Sequence, residues 1–196
     1  MTRWILTATL LYAATSTGCT GSDVVEVPDK IIPVDTTPPT PKASNRCYSG
    51  QSQYFSPDGA SAMADPNPTA ARRDSDPDKG TIDEIVFDQG NLRPTRLTLQ
   101  PDGATFSATD GETFDGTIST TGATWAWEGW TYNLTMKDGS GSVEGSGKTT
   151  AKGFETEKYF IAVGARQVMI RESFEEIDCA GWEALVEQLK ADASSK

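Results

Sequence analysis

Residues 95–122 read TRLTLQPDGATFSATDGETFDGTISTTG. In this stretch, short runs of β-branched and aromatic residues alternate with Asp-Gly or Thr-Gly pairs. Asp-Gly is a strong hairpin signal because glycine adopts positive φ without a steric clash at Cβ. The turns recur at roughly the 8–12-residue spacing that is typical of an all-β sandwich or barrel. We therefore expect successive antiparallel hairpins rather than strands separated by helices.

The same alternation continues on both sides of this stretch, between Thr81 and Phe174. The β-rich runs are Ile82–Asp88, Thr95–Gln100, Ala104–Thr109, Glu112–Thr120, Ala123–Lys137, Ser140–Ser146, Thr149–Ile161 and Ala165–Phe174. They predict an all-β fold, an antiparallel meander that forms a barrel or a strongly curved sheet of about seven to nine strands. This architecture is similar in outline to lipocalin-like lipoproteins.

A different pattern ends the chain. Asp178 is a good helix cap, and after it Trp182, Leu185, Val186 and Leu189 follow the i, i+3, i+4, i+7 spacing of one apolar helix face. This predicts one C-terminal amphipathic helix that packs on the outside of the β structure or across one of its ends.

Composition sets the expected boundaries of the folded region. We expect a β domain over residues 46–190, with an irregular, Pro- and Asp-rich insertion at 56–80 and a disordered tail at 191–196. A short helix around Pro68–Arg73 is the alternative inside the insertion.

The chain begins like an exported protein. Arg3 precedes an apolar run from Trp4 to Ala14, which is shorter than the roughly 20 residues that a membrane-spanning helix needs. The run leads to Ser16-Thr17-Gly18-Cys19, which resembles the cleavage box of bacterial lipoproteins. Ser16 departs from that pattern, because the family usually has leucine at this position.

The lipoprotein resemblance implies that residues 1–18 are a signal peptide and that Cys19 is lipidated. Residues 19–45 would then be a Pro/Thr-rich, disordered linker. The expected partner is a membrane, reached through the lipid anchor in the cell envelope, and Thr20 favours the outer membrane if the source has two membranes. An ordinary signal peptide cut near Ser16, with Cys19 left as a free thiol, is the alternative.

The acidic charge of the chain and its lack of histidine exclude several functions. The net charge is −11, and it becomes −12 once residues 1–18 and their single charged residue, Arg3, are removed. A chain this acidic lacks the clustered cations that nucleic acid requires. It contains no histidine, which removes Ser-His and Cys-His catalysis. The acidic run Asp74–Gly80 lacks the positions of a calcium loop. We expect no metal and no cofactor.

Two of the three cysteines, Cys47 and Cys179, lie at the two ends of the expected domain. In an oxidising envelope they are expected to form a disulfide. Cys19 would then anchor the chain while the other two close it.

The most aromatic segment contains Trp125, Trp127, Trp130 and Tyr132. The side-chain alternation changes parity at Glu128-Gly129, which predicts either a tight turn or a β-bulge of the glycine type that keeps these rings on one face. The structural interpretation is core packing. The functional interpretation is a ligand-binding surface, because tryptophan stacks on sugars and lines apolar cavities.

These patterns predict a non-catalytic envelope lipoprotein whose barrel binds a small apolar or amphipathic ligand. A structural or interaction module of the envelope, with a glycan as its possible ligand, is the alternative. An enzyme that uses two carboxylates, for example Glu112 and Glu128, is a third hypothesis, but the sequence marks no matched pair. We therefore expect the protein not to be an enzyme.

Overall fold

Ten antiparallel strands, β1–β10, follow one another around a closed barrel. The computed structural model describes residues 41–194, so the predicted signal peptide, Cys19 and most of the predicted linker lie outside the described residues. The strands are Ser44–Phe55, Asn67–Asp76, Thr81–Asp88, Asn91–Leu99, Thr105–Thr109, Phe114–Ala123, Ala126–Met136, Ser142–Thr149, Gly153–Ala162 and Ala165–Ile177. The predicted all-β meander is confirmed, with ten strands rather than seven to nine.

The predicted hairpin turns explain most of this topology. All eight β-rich runs correspond to strands, β3 to β10. The glycines of the Asp-Gly turns, Gly103, Gly111 and Gly139, all have positive φ, as such turns require. Pairing of β1 with β10, from Cys47↔Ile177 to Phe55↔Met169, closes the ring.

The prediction of an irregular insertion at 56–80 is wrong for the ten residues Asn67–Asp76. Asn67–Asp76 forms β2, which pairs with β1 and β3, and there is no helix at Pro68–Arg73. The sequence of β2 does not alternate simply between apolar and polar residues, because both of its faces are covered by other parts of the molecule. Residues 56–66 and 77–80 lie outside regular strands. The first of these segments folds back through a bridge between Phe55 and Ala62, and the second is the β2–β3 turn.

The C-terminal helix forms where it was predicted and extends further. The Asp178 side chain accepts a hydrogen bond from the Ala180 N–H at 3.1 Å and caps a 3₁₀ turn, Cys179–Gly181. The α-helix α1 then spans Trp182–Ser194. The predicted disordered tail is therefore wrong for residues 191–194, which complete the last turn of α1, while residues 195–196 lie outside the described part.

The helix packs on the outer wall of the barrel. Its apolar face and residues of β1, β2 and β3 form the outer cluster, whose buried members are Cys47, Ala70, Phe87, Trp182, Val186 and Leu189. The Cys47–Cys179 disulfide ties β1 to the start of this helical region, with 5.1 Å between the Cα atoms. Across residues 41–194, no helix is both long enough and apolar enough to cross a bilayer.

The barrel interior holds the second group of apolar side chains. Inward-facing residues from most strands form the inner cluster, whose largest buried members include Tyr48, Leu97, Phe106, Trp130, Phe154 and Phe174. Charged side chains, among them Arg73 and Lys158, also face inward. Such residues are rare in a core that is filled only by apolar side chains. The end of the barrel formed by the β6–β7 and β8–β9 turns is called the mouth below.

Candidate functional site

A β-bulge in β7 brings the tryptophans of the mouth together. Thr121 pairs with Gly129 and Gly122 pairs with Trp127, so Glu128 is the extra residue. The predicted bulge at Glu128-Gly129 is confirmed, but the glycine with positive φ is Gly122 of β6, not Gly129, so the bulge is not of the glycine type. The extra residue restores the inward direction of Trp127, and its indole lies 5.8 Å from that of Trp130.

Rings from five strands and the β6–β7 turn form a continuous layer across the barrel near the mouth. The members of this aromatic layer are Tyr48, Phe106, Trp125, Trp127, Trp130, Phe154 and Phe174. Centroid distances between neighbouring rings run from 4.5 Å for Phe154 and Phe174 to 5.8 Å for Trp130 and Phe154. These are ordinary aromatic pair distances, so the layer contributes to the stability of the fold.

An open cavity of about 700 Å³, the mouth cavity, lies against this layer. Trp125, Trp127 and Trp130 all line it, together with Tyr48 and Phe154. Trp130 is buried, with 4% of its surface exposed, whereas Trp125 and Trp127 are half-buried. The structure therefore brings three of the four predicted ligand-binding aromatics to one cavity.

The fourth predicted residue, Tyr132, does not line the mouth cavity. It lies further along β7, where the Lys158 Nζ atom is 5.9 Å from its ring centroid. Burial raises the pKa of the Tyr132 phenol to about 12, and the nearby Lys158 cation opposes this only in part. Tyr132 belongs to a more polar region of the interior rather than to the cavity.

Arg73 is the residue of this site that sequence reasoning missed. It lines the mouth cavity from β2. Its guanidinium carbon lies 5.4 Å, 5.8 Å and 5.2 Å from the ring centroids of Trp127, Trp130 and Phe154. A guanidinium at these distances from aromatic faces makes cation–π contacts. Recognising β2 as a strand would have placed Arg73 on the same face as Ala71, and that was the missing signal.

Glu84 of β3 is the ionic partner of Arg73. The Arg73 Nε atom donates to Glu84 Oε2 at 2.9 Å, and Nη2 donates to the same oxygen. Burial lowers the pKa of Arg73, but the Glu84 carboxylate outweighs it and the pKa is raised, so the guanidinium stays charged. The side chains retain 17% and 22% exposure, so solvent reaches this pair inside the barrel.

A second ion pair lies in the interior. Lys158 Nζ is 2.7 Å from Glu172 Oε2, and Thr156 Oγ1 donates to the same oxygen at 2.6 Å. Burial lowers the pKa of Lys158, but the charge of Glu172 and the neighbouring Tyr132 raise it above its ordinary value. The interior thus combines an aromatic layer near the mouth with two ion pairs.

The two carboxylates of the enzyme hypothesis do not come together. Glu112 lies in the turn before β6, whereas Glu128 lies after β6, in the bulge of β7. β6 has ten residues at about 3.3 Å each, so the two groups are at opposite ends of the barrel. They cannot act on the same bond.

Within residues 41–194, no three Asp, Glu or Cys side chains are grouped so that they could hold a metal ion. No protein-family model matches the chain, and no curated protein matches it either. The function must therefore be argued from the mouth cavity itself.

Proposed function

We propose that this protein is a lipid-anchored lipoprotein of the cell envelope whose barrel binds a small apolar or amphipathic molecule in the mouth cavity. The observation that carries the proposal is the open cavity of about 700 Å³ against half-buried Trp125 and Trp127. Ligand sites commonly measure about 300–1,000 Å³. Aromatic side chains line this one together with polar and charged side chains, a mixture that suits an amphipathic molecule.

The incomplete packing of Trp125 and Trp127 supports a ligand-binding role for these two rings rather than a purely structural one. Protein interiors are close-packed and leave few voids larger than a water molecule. Trp130 and Phe106 fill the core in this way, at 4% and 0% exposure. Trp125 and Trp127 instead leave part of their apolar surface uncovered at the cavity, where a bound molecule would gain the energy of burying it.

The ring geometry favours a small apolar body over a sugar as the ligand. The Trp127 and Trp130 planes are tilted by 55°, and those of Phe106 and Trp125 by 81°. Sugar stacking uses a broad, exposed aromatic face, whereas Trp125 and Trp127 are half-buried and these ring pairs are not coplanar. A molecule that fits between the rings matches the cavity better, and no chemical step is proposed for it.

The anchor is the second part of the proposal. The chain has three cysteines, and Cys47 and Cys179 pair with each other. This leaves Cys19 without a cysteine partner in the same chain and therefore available for lipidation. We propose attachment to the envelope membrane through Cys19, at the outer membrane if the source has two membranes.

Binding is tested with N-phenylnaphthylamine, a neutral apolar dye whose fluorescence rises on transfer from water into an apolar site. We expect saturable binding to the full chain and a loss of affinity of roughly tenfold in Trp127→Leu, which removes much of the cavity wall. Trp182→Phe is the matched control, because it also removes one indole but lies in the outer cluster. Equal affinity in both variants, or no saturable binding, would refute the ligand role.

The anchor is tested by mass spectrometry of the protein isolated from membranes of an expressing bacterium. We expect an N-terminal Cys19 that carries acyl groups, and release of the protein into the soluble envelope fraction in Cys19→Ser. An unmodified N-terminus near Ser16 would show that the signal peptide is of the ordinary kind.

A further inference from the structure

We infer that the molecule bound in the mouth cavity is an amphipathic anion, and that its charged group binds Arg73 Nη1 at the base of the cavity. The inference rests on the proposed binding function and specifies the chemistry of its ligand. It covers organic carboxylates, sulfonates and phosphates with an apolar or aromatic body.

Arg73 reaches into the middle of the barrel. β2, which carries it, and β7, which carries Trp127 and Trp130, are five strands apart in either direction around the ring and therefore face each other. The guanidinium nevertheless contacts both indoles and the Phe154 ring of β9. It thus spans the interior and forms part of the base of the cavity.

One end of this guanidinium has no protein partner. Nε and Nη2 both donate to Glu84, and Nη1 donates to no residue in the range 41–194. Within that range, the only fully buried side-chain nitrogens or oxygens without a hydrogen-bond partner are Arg72 Nε and Trp182 Nε1. Nη1 of Arg73 is therefore not sealed off and presents unused donors to a cavity that Arg73 itself lines.

The charges around the cavity are balanced, so they do not repel an anion. The lining contains three cations, Arg46, Arg73 and Lys152, and two carboxylates, Glu128 and Glu176, and Glu84 pairs with Arg73 behind it. The whole chain has a net charge of −11, so this site is less acidic than the protein as a whole. A guanidinium has five N–H donors and can serve two anions at once, so the pair with Glu84 does not exhaust it.

The surroundings of Nη1 define the rest of the ligand. The same guanidinium lies against aromatic rings, so a group bound to Nη1 is held next to apolar walls. A small hydrophilic anion would lose hydration there without gaining apolar contact. An anion with an apolar body satisfies both surfaces, which makes it the class that fits.

Two dyes with a common body separate charge from apolar contact. Anilinonaphthalene sulfonate carries a sulfonate on the same aromatic skeleton that N-phenylnaphthylamine presents without a charge. Both are titrated into the full chain and into Arg73→Gln, Glu84→Gln and Arg72→Gln. Arg72 is the matched control, because it lies on the same strand but contacts Trp182 of the outer cluster.

The expected signature is a change in the ratio of the two affinities. Arg73→Gln should weaken the sulfonate dye by roughly tenfold more than it weakens the neutral dye, since only the sulfonate loses a hydrogen bond between charged groups. Glu84→Gln removes the negative charge that neutralises Arg73 and should tighten the sulfonate dye selectively. Arg72→Gln should leave both affinities unchanged.

The outcomes distinguish this inference from the function on which it rests. If both dyes need Trp127 but their affinity ratio is the same in all three charge variants, the anion inference is wrong and the apolar binding function stands. If neither dye binds saturably, both fail. If Arg73→Gln does not fold, Glu84→Gln decides alone, and an unchanged ratio in that variant overturns the inference.

Discussion

Arg72 and Arg73 are adjacent on β2 but lie on opposite faces of the barrel wall. Arg72 faces outward, with its guanidinium carbon 5.1 Å from the Trp182 ring centroid. Its Nε lies 3.2 Å from Asp74 Oδ2, within ion-pair distance but without the alignment of a hydrogen bond. Arg73 faces inward, against three aromatic rings and Glu84. Each arginine thus combines an aromatic contact with a carboxylate partner.

The two arginines differ in what covers the aromatic rings that they contact. In the outer cluster, helix α1 belongs to the same chain and seals the surface, so Trp182 has 5% exposure. In the barrel, no segment of residues 41–194 fills the mouth cavity, and Trp127 stays half-buried. An arginine–tryptophan contact therefore does not identify a binding site by itself, and the informative feature is apolar surface that the chain leaves open.

Removing the disulfide should have the largest effect on the free energy of unfolding, and it should leave the mouth cavity of the folded protein unchanged. Cys47→Ala/Cys179→Ala opens a loop closed across 132 residues and is expected to lower the free energy of unfolding by up to about 5 kcal/mol. Urea unfolding measures the loss. Dye affinity of the protein that remains folded should not change, and a selective loss of affinity would contradict the separation of the two regions.

Truncation of the mouth tryptophans should separate core packing from cavity lining. Trp130→Ala is expected to cost about 3–5 kcal/mol, the usual range for a buried large aromatic. Trp127→Ala should cost clearly less, because part of that ring is already exposed. Urea unfolding of both variants makes the comparison, and equal losses would mean that Trp127 is an ordinary core residue.

The interior phenols should make the protein sensitive to alkali. The pKa of Tyr132 is raised from 10.0 to about 12 by burial, and that of Tyr54 to about 12 by burial and by the carboxylate of Asp88. Between pH 10 and 12 the folded state therefore holds protons that the unfolded state releases, so stability falls as pH rises. The raised pKa of Lys158 acts in the same direction.

Tyr132, the more deeply buried phenol, should account for roughly 2–3 kcal/mol once the pH exceeds its pKa in both the unfolded and the folded state. Tyr54 should account for less, because solvent screens it. Tyrosinate absorbance measured during a pH titration should show two groups that ionise near pH 12, and Tyr132→Phe should remove one of them. Ionisation of every tyrosine near pH 10 would show that the interior is as well hydrated as bulk solvent.

Gly147 offers a smaller test of the mouth. A Cβ at this position of β8 would overlap the indole of Trp130, so Gly147→Ala is expected to cost about 1–3 kcal/mol by overpacking. Gly181→Ala is the control, because nothing lies within 4 Å of the added carbon. Comparable unfolding free energies for the two variants would mean that Trp130 has room to move.

The features of this molecule that the sequence predicts correctly are those set by residues close together along the chain. Glycine-containing turns impose positive φ within a few residues, three of them as Asp-Gly pairs, and the eight predicted β-rich runs all correspond to strands. The helix face of Trp182, Val186 and Leu189 was equally visible, because its spacing is a property of the helix alone. The parity change at Glu128 located the bulge for the same reason.

What the sequence did not predict depends on long-range contacts. The outer face of β2 packs against α1 through Ala70, and its inner face carries the charged Arg73. Because the outer face is buried and the inner face is partly charged, the sequence of β2 lacks the usual alternation of apolar and polar residues. Glu84, which neutralises Arg73, and Trp127, which contacts it, come from two other strands. Likewise, the alternation of side chains along β7 predicts that Tyr132 faces inward. It does not predict that Tyr132 lies outside the mouth cavity, because that depends on the other strands.

The most direct test of the central claim is an NMR titration that follows the indole N–H signals of the tryptophans as N-phenylnaphthylamine is added. Single Trp→Phe variants assign the signals. The account predicts that the signals of Trp125, Trp127 and Trp130 shift and saturate together, while that of Trp182 stays in place. Saturable binding that moves the Trp182 signal, or that moves none of the mouth signals, would contradict the assignment of the mouth cavity as the binding site.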